Sequence, residues 1–203
     1  MQVADYNKRA VLSPIIAAVE QALKSKKRDM GWQKPLILAI DGYCGSGKTY
    51  YSKLISEHFG ASIIHCDDFF LPKQMRTTER LSEIGGNVHY ERLAEVLDRV
   101  RQGKSFTYQA YDCSTDSFVD RYFEATDVVV VEGSYALRPN LKQYYDVEIL
   151  LTVDKVTQYN RLLQREGDCG VINFVNKWIP LENKYFDQLD TSQCLIIDTT
   201  HNN

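Results

Sequence analysis

Gly42-Tyr43-Cys44-Gly45-Ser46-Gly47-Lys48-Thr49 matches G-x-x-x-x-G-K-[ST] at every position. Each residue type has a chemical reason. Glycines let backbone N–H groups turn inward around phosphate oxygens with no Cβ in the way. A lysine in the place of Lys48 reaches the β- and γ-phosphates as a point charge, and a hydroxyl in the place of Thr49 ligates Mg²⁺. Gly42, Cys44, Gly45, Ser46, Gly47, Lys48 and Thr49 are therefore the expected nucleotide-binding set, with ATP and Mg²⁺ as cofactors. The alternative is a chance glycine-rich turn ahead of a helix. An apolar run before the motif and a helical pattern after it argue against chance. No N-K-x-D guanine motif occurs, which disfavours a GTPase.

Further charged residues stand where apolar runs end. His65-Cys66-Asp67-Asp68-Phe69-Phe70 closes one run, and Glu132 follows Val128-Val129-Val130-Val131. In open α/β sheets ligands sit beyond the carboxyl ends of strands, so these acids are expected beside the phosphate loop. There a carboxylate orients an attacking hydroxyl or holds Mg²⁺. Asp67 and Asp68 compete with the simpler reading of an acidic strand end or helix cap, and Glu132 with that of a solvated strand terminus. His65 reads as a packed or surface histidine. Arg161 and Arg165, four residues apart, share a helix face. Guanidinium forks suit phosphate oxygens, and ion pairs with Asp154 or Glu166 are the competing account.

These residues need elements to position them. Apolar spacing predicts a helix over 5–27, followed by a basic patch (Lys24, Lys26, Lys27, Arg28) read as its solvated C-terminus. Gly31 and Pro35 punctuate the chain. Strands are predicted at 36–40, 62–66, 128–131, 147–153 and 194–197, and helices at 48–58, 89–101, 139–144 and 155–166. Residues 174–189 read as helical with a break at Pro180, and the polar stretch 71–87 as a lid or substrate loop. Short buried strands alternating with helices imply a doubly wound α/β fold with a mainly parallel sheet of about five strands. A single domain over 1–203 is expected, with 1–33 as a lead-in helix and 155–180 as a lid.

Composition bounds the function. A length of 203 residues with 44% hydrophobic and 25% charged residues is ordinary for a globular domain. A formal charge of −3 disfavours a nucleic-acid partner. No apolar run approaches a membrane span, and the polar start carries no signal-peptide core. Five cysteines, odd in number and without a C-x-x-C pair, fit reduced thiols in a cytoplasm.

Taken together, the phosphate loop, Asp67-Asp68-Phe69-Phe70, Asn87-Val88-His89-Tyr90-Glu91-Arg92, Tyr111-Asp112, Glu132-Gly133-Ser134-Tyr135 and the Arg161/Arg165 helix resemble the uridine kinase and phosphoribulokinase group of P-loop kinases. That group also holds pantothenate and nicotinamide riboside kinases. Trp178-Ile179-Pro180-Leu181-Glu182 is similar to bacterial uridine kinase-like members. The resemblance runs from Leu36 to about Ile197. It implies Asp67 as the catalytic aspartate that activates the acceptor hydroxyl, and Glu132 as an acid near the metal. It also implies Arg161 and Arg165 as lid arginines on ATP, Phe70 near the sugar, and Tyr111 packed on a nucleoside. Two positions depart from the uridine pattern. His89 stands where an aspartate holds ribose hydroxyls, and Asp116 where a histidine reads the pyrimidine. A carboxylate presents only acceptors to a base edge.

The expected activity is ATP-dependent phosphorylation of a small-molecule hydroxyl, a nucleoside foremost. Asp68, Phe70, His89, Tyr111 and Asp116 form the acceptor side. Pantothenate, nicotinamide riboside or a sugar are alternative acceptors. An ATP-binding regulator that transfers nothing is the rival of a different class. A homo-oligomer is compatible with the sequence.

Overall fold

The computed structural model describes residues 3–28 and 34–201, so Gly31 lies outside the described residues. In chain order the elements are α1 (Val3–Arg28), β1 (Leu36–Gly42), α2 (Lys48–Phe59), β2 (Ser62–His65), α3 (Thr78–Ser82) and α4 (Tyr90–Val100). Then come β3 (Phe106–Asp112), β4 (Ser117–Phe123), β5 (Val128–Glu132), β6 (Val147–Thr152), α5 (Lys155–Asn173), α6 (Ile179–Phe186) and β7 (Leu195–Asp198). Five strands form one parallel sheet in the order β2-β5-β1-β6-β7. The expected doubly wound α/β fold is present.

Alternation along the strands builds the two covered faces. Leu36, Leu38, Ile40, Val128 and Val130 point to a layer holding Val11, Ile15 and Val19 of α1 and Tyr51 and Ile55 of α2. Ile37, Val129 and Val131 point the other way, onto Leu93, Val96, Leu97 and Val100 of α4. The helical spacing of those four residues gives α4 a single apolar stripe, and burying each such side chain stabilises the fold by about 1.5–3 kcal/mol. At the end of α1, Lys26 pairs with Asp146 at 2.5 Å and Lys24 with Glu20 at 3.8 Å, as befits a helix C-terminus.

Register fixes where chemistry can occur. Ile40 and His65 both lie opposite Glu132, so the carboxyl ends of β1, β2 and β5 form one rim. Asp41 sits on that rim and is fully buried. It accepts from the N–H groups of Gly42 (2.7 Å), Leu137 (2.9 Å) and Tyr135 (3.2 Å) and from the Tyr185 hydroxyl (2.8 Å). These bonds tie the phosphate loop to the turn after β5 and to α6. Burial raises its pKa to about 6 despite the four donors.

Two expectations need correction, and two more are given a definite form. Residues 106–123, assigned no structure in the sequence reading, form an antiparallel hairpin, β3–β4, outside the main sheet. Phe106, Tyr108 and Ala110 do alternate with polar residues, but β4 is exposed along nearly its whole length and shows no apolar face. Residues 174–186 are helical, and the expected interruption at Pro180 takes the form of a change from π-type to α-helix. A wide π-type turn, Phe174–Trp178, leads into α6, and Pro180 falls in its first turn, where no intrahelical N–H is needed. The expected helix at 139–144 is only a 3₁₀ turn at Lys142–Tyr144. The stretch 71–87 is closed at its base by Leu71 N–H to Asn87 O (2.9 Å) and His89 N–H to Phe69 O (2.6 Å), and it contains α3.

Tyr90 holds that stretch further. The guanidinium groups of Arg80 and Arg138 each lie 4.0 Å from its ring centroid. Arg80 also donates to Gly86 O (3.3 Å) and Val88 O (3.1 Å) and pairs with Glu91 at 2.9 Å.

Candidate active site

The phosphate loop is a turn that only glycine permits at key points. Gly42 has φ 154°, and a Cβ there would lie 2.3 Å from Leu151 O. Gly47, the N-cap of α2, has φ 89°. Among the described residues, no acceptor faces the amides of Gly45, Gly47, Lys48 or Thr49, and the buried Ser46 Oγ has no partner. Unpaired donors at a helix N-terminus form an anion cradle. Lys48 Nζ lies across the loop and donates to Gly42 O (2.7 Å) and Tyr43 O (3.2 Å).

Glu132 is 5% exposed and faces Thr49, whose hydroxyl is 3.3 Å from both carboxylate oxygens. His65 Nδ1 lies 2.6 Å from Glu132 Oε1, and this hydrogen bond raises the histidine pKa. His65 is thus packed against Glu132 as its hydrogen-bond partner. Asp67 opens into the same cleft. Desolvation by surrounding protein, then the charge of Glu132, raises its pKa, and Lys48 opposes the rise. A carboxylate poised upward in this way is a better proton acceptor.

A cleft of about 710 Å³ joins these groups. One wall comes from α5, the π-type turn and α6. Arg161 and Arg165 both line it, as do Phe174, Trp178 and Glu182. Arg161 donates to Gly45 O (3.1 Å) and Thr199 O (2.7 Å), so it braces the loop. Arg165 pairs with Glu166 at 2.6 Å and lies 5.3 Å from the Phe174 ring centroid. Gly167, with φ 71°, interrupts α5 just beyond. Glu182, 4% exposed, accepts from the Cys44 N–H (2.8 Å) and the Ser134 hydroxyl (3.1 Å).

The opposite wall is built by Phe70, Arg76, Leu81, Asn87 and Cys113. Of the residues expected there, only Phe70 lines the cleft. Asp68 turns away to Tyr108 Oη (2.6 Å) and Arg121. His89 caps α4, accepting from Arg92 N–H at 3.4 Å with Glu91 at 3.1 Å, and burial lowers its pKa. The buried Tyr111 donates to Asp116, whose other oxygen is 3.0 Å from Lys73 Nζ. The Tyr111 hydrogen bond is the main reason that the Asp116 pKa is lowered.

Comparison with known proteins decides the family. Residues 37–168 match the Phosphoribulokinase / Uridine kinase family. The chain belongs to that family. It is 26% identical over 175 residues to a uridine kinase from Bacillus cereus (strain AH187), covering 78% of this chain and 82% of the relative. Two solved structures share the fold. A D-glycerate 3-kinase from Cryptococcus neoformans var. grubii superposes with a TM-score of 0.66 at 14% identity, covering 94% of this chain and 96% of that one. A possible uridine kinase from Bacillus stearothermophilus gives 0.63 at 18% identity, covering 91% and 100%. Membership makes this family member a P-loop kinase of the small-molecule type that uses a nucleotide.

Several residues of this family member's cleft escaped the sequence reading. Behind the cleft, the buried Asp41 carries no sequence signal beyond following the apolar run 36–40. Glu182 carried a signal: an acid on the face that also bears Ile179 and Tyr185, three residues to either side. Arg76 and Cys113 had none, because the hairpin that brings Cys113 to the cleft was not visible.

Proposed function

We propose that this family member transfers the γ-phosphoryl group of ATP to a hydroxyl of a small acceptor in the cleft. The observation that carries this is convergence: Lys48, the Thr49–Glu132 pair and Asp67 meet at the carboxyl rim of the sheet and open into one cleft. The unpaired amides of Gly45, Gly47, Lys48 and Thr49 would hold phosphate oxygens. Thr49 and Glu132, with Asp67 beside them, would hold Mg²⁺, which takes few side-chain ligands when phosphates supply the rest. Bound MgATP supplies the transferable phosphoryl group and neutralises charge on it. Asp67 orients the acceptor hydroxyl and takes its proton. Arg161 keeps the loop in shape, and Arg165 adds positive charge on the lid side and helps to exclude water.

The uridine kinase relatives favour a nucleoside as the acceptor. A small non-nucleoside alcohol is the second reading, and a specific observation favours it: His89, Tyr111 and Asp116 are engaged with other side chains rather than with the cleft. An ATP-binding regulator remains the rival of a different class, and the acceptor-side Asp67 argues against it.

The test is ATP consumption with Mg²⁺ against uridine, cytidine, nicotinamide riboside, pantothenate and simple sugars, with products identified by mass. Turnover of at least one acceptor is expected. Lys48→Ala should lower kcat on the order of 10²–10³-fold and Asp67→Asn on the order of 10²–10⁴-fold. Near-normal transfer by Asp67→Asn would remove its assignment as base. ATP binding without turnover of any acceptor would favour the regulator.

A further inference from the structure

The polar side chains behind the acceptor wall are committed to one another. Asp116 is shared by Lys73 and Tyr111, and Asp68 by Tyr108 and Arg121. Arg76 is different. It follows the 3₁₀ turn Lys73–Met75 and lines the cleft beside Asn87 and Cys113. Its Nε donates to Leu71 O at 2.8 Å, and its guanidinium carbon lies 5.8 Å from the Tyr111 ring centroid. These two contacts fix the plane of the fork. Nη2 reaches only the Cys113 sulfur, at 3.6 Å, a weak acceptor. Among the described residues no carboxylate pairs with Arg76, and its Nη1 has no partner.

Arg76 is exposed and lines the cleft, and a guanidinium oriented by Nε and an aromatic face, with outer N–H groups left unpaired, can receive an oxyanion. Asp116 feels the charge of Arg76 but makes its close contacts with Lys73 and the Tyr111 hydroxyl, so it leaves the outer N–H groups of Arg76 without an ion-pair partner.

We propose that the acceptor alcohol bears an oxyanionic group, a carboxylate or a phosphate, bound by Arg76 while its hydroxyl faces Asp67. This rests on the kinase reading and names its substrate class. In the transfer, the acceptor oxygen forms the new bond to the γ-phosphorus and the bond to the bridging oxygen of ADP breaks. The hydroxyl proton passes to the Asp67 carboxylate.

The test compares alcohols matched except for charge, with saturating MgATP: glycerol against D-glycerate and glycerol 3-phosphate, ribose against ribose 5-phosphate, and uridine as the neutral nucleoside. The charged members should show kcat/KM about 10-fold or more above their neutral partners, as expected for charge-assisted hydrogen bonds. The carboxylate and phosphate arms tell which oxyanion fits. Arg76→Gln should collapse that ratio, through KM for the charged acceptor, and Arg76→Lys should keep part of it. A variant that merely folds poorly would lower both members of a pair alike. Equal or better use of the neutral partners, or a ratio that Arg76→Gln leaves in place, overturns the inference and leaves the kinase reading standing. Failure of every acceptor, with MgATP still bound, overturns both.

Discussion

Asp41 shows how much one side chain can organise here. Its four donors come from three segments, and its burial raises the pKa to about 6 from 3.8. The sign of the stability effect follows. Between those two values the unfolded chain has lost the proton that the folded chain keeps, so the contribution of Asp41 is fully present below about pH 4 and declines as pH rises to 6. The span corresponds to about 3 kcal/mol. Urea unfolding at pH 4, 5, 6 and 7 should show that decline in the wild-type protein, and Asp41→Asn should lack it. At pH 7 the same variant should be less stable by about 1–3 kcal/mol, because an amide nitrogen would face a donor. The single residues of the phosphate loop were legible in the sequence, because a nucleotide-binding turn tolerates few residue types. Asp41 was not, because the partners that give it meaning lie far along the chain.

Among elements, α6 has the least expected task. Through Glu182 it grips the amide of Cys44 and the hydroxyl of Ser134, so a helix near the end of the chain supports a loop near its start. Glu182→Ala would leave the buried Cys44 N–H and the part-buried Ser134 hydroxyl without their acceptor and should cost about 1–3 kcal/mol in denaturant unfolding, whereas Glu182→Gln, which still accepts from Cys44, should lose less. Elements with strong periodicity were predictable: the apolar strands of the sheet, and α4 with its apolar stripe. The hairpin was not. Strand β4 is exposed along nearly its whole length, and what holds the hairpin is tertiary, through Tyr108 on Asp68 and Phe69 stacked on Tyr108 with centroids 5.6 Å apart. Pro180 was legible as an interruption, because proline lacks the N–H that a helix interior needs, and it stands in the first turn of α6 just after the π-type turn.

At the scale of the molecule, the cleft lies between two walls that differ in how they are held. The wall of α5 and α6 contains the positive-φ Gly167 and a π-type turn. The site is also linked to overall stability by mass action. MgATP at about 100 times its Kd should raise stability by about 2.7 kcal/mol, read as an increase in Tm, and Lys48→Ala should abolish most of that gain. The facing wall, residues 71–87, is stapled to the body by Arg80 and Arg138 on Tyr90 and is closed at its base by backbone hydrogen bonds. Half of the cleft is thus a finished mould before any guest arrives. On the proposed reading, capturing an acceptor there sacrifices little chain entropy, and selectivity arises from fit rather than from folding around the guest. Amide hydrogen exchange should show this asymmetry: slow exchange around residues 85–89 in the free protein, and ligand-induced protection concentrated beyond Gly167.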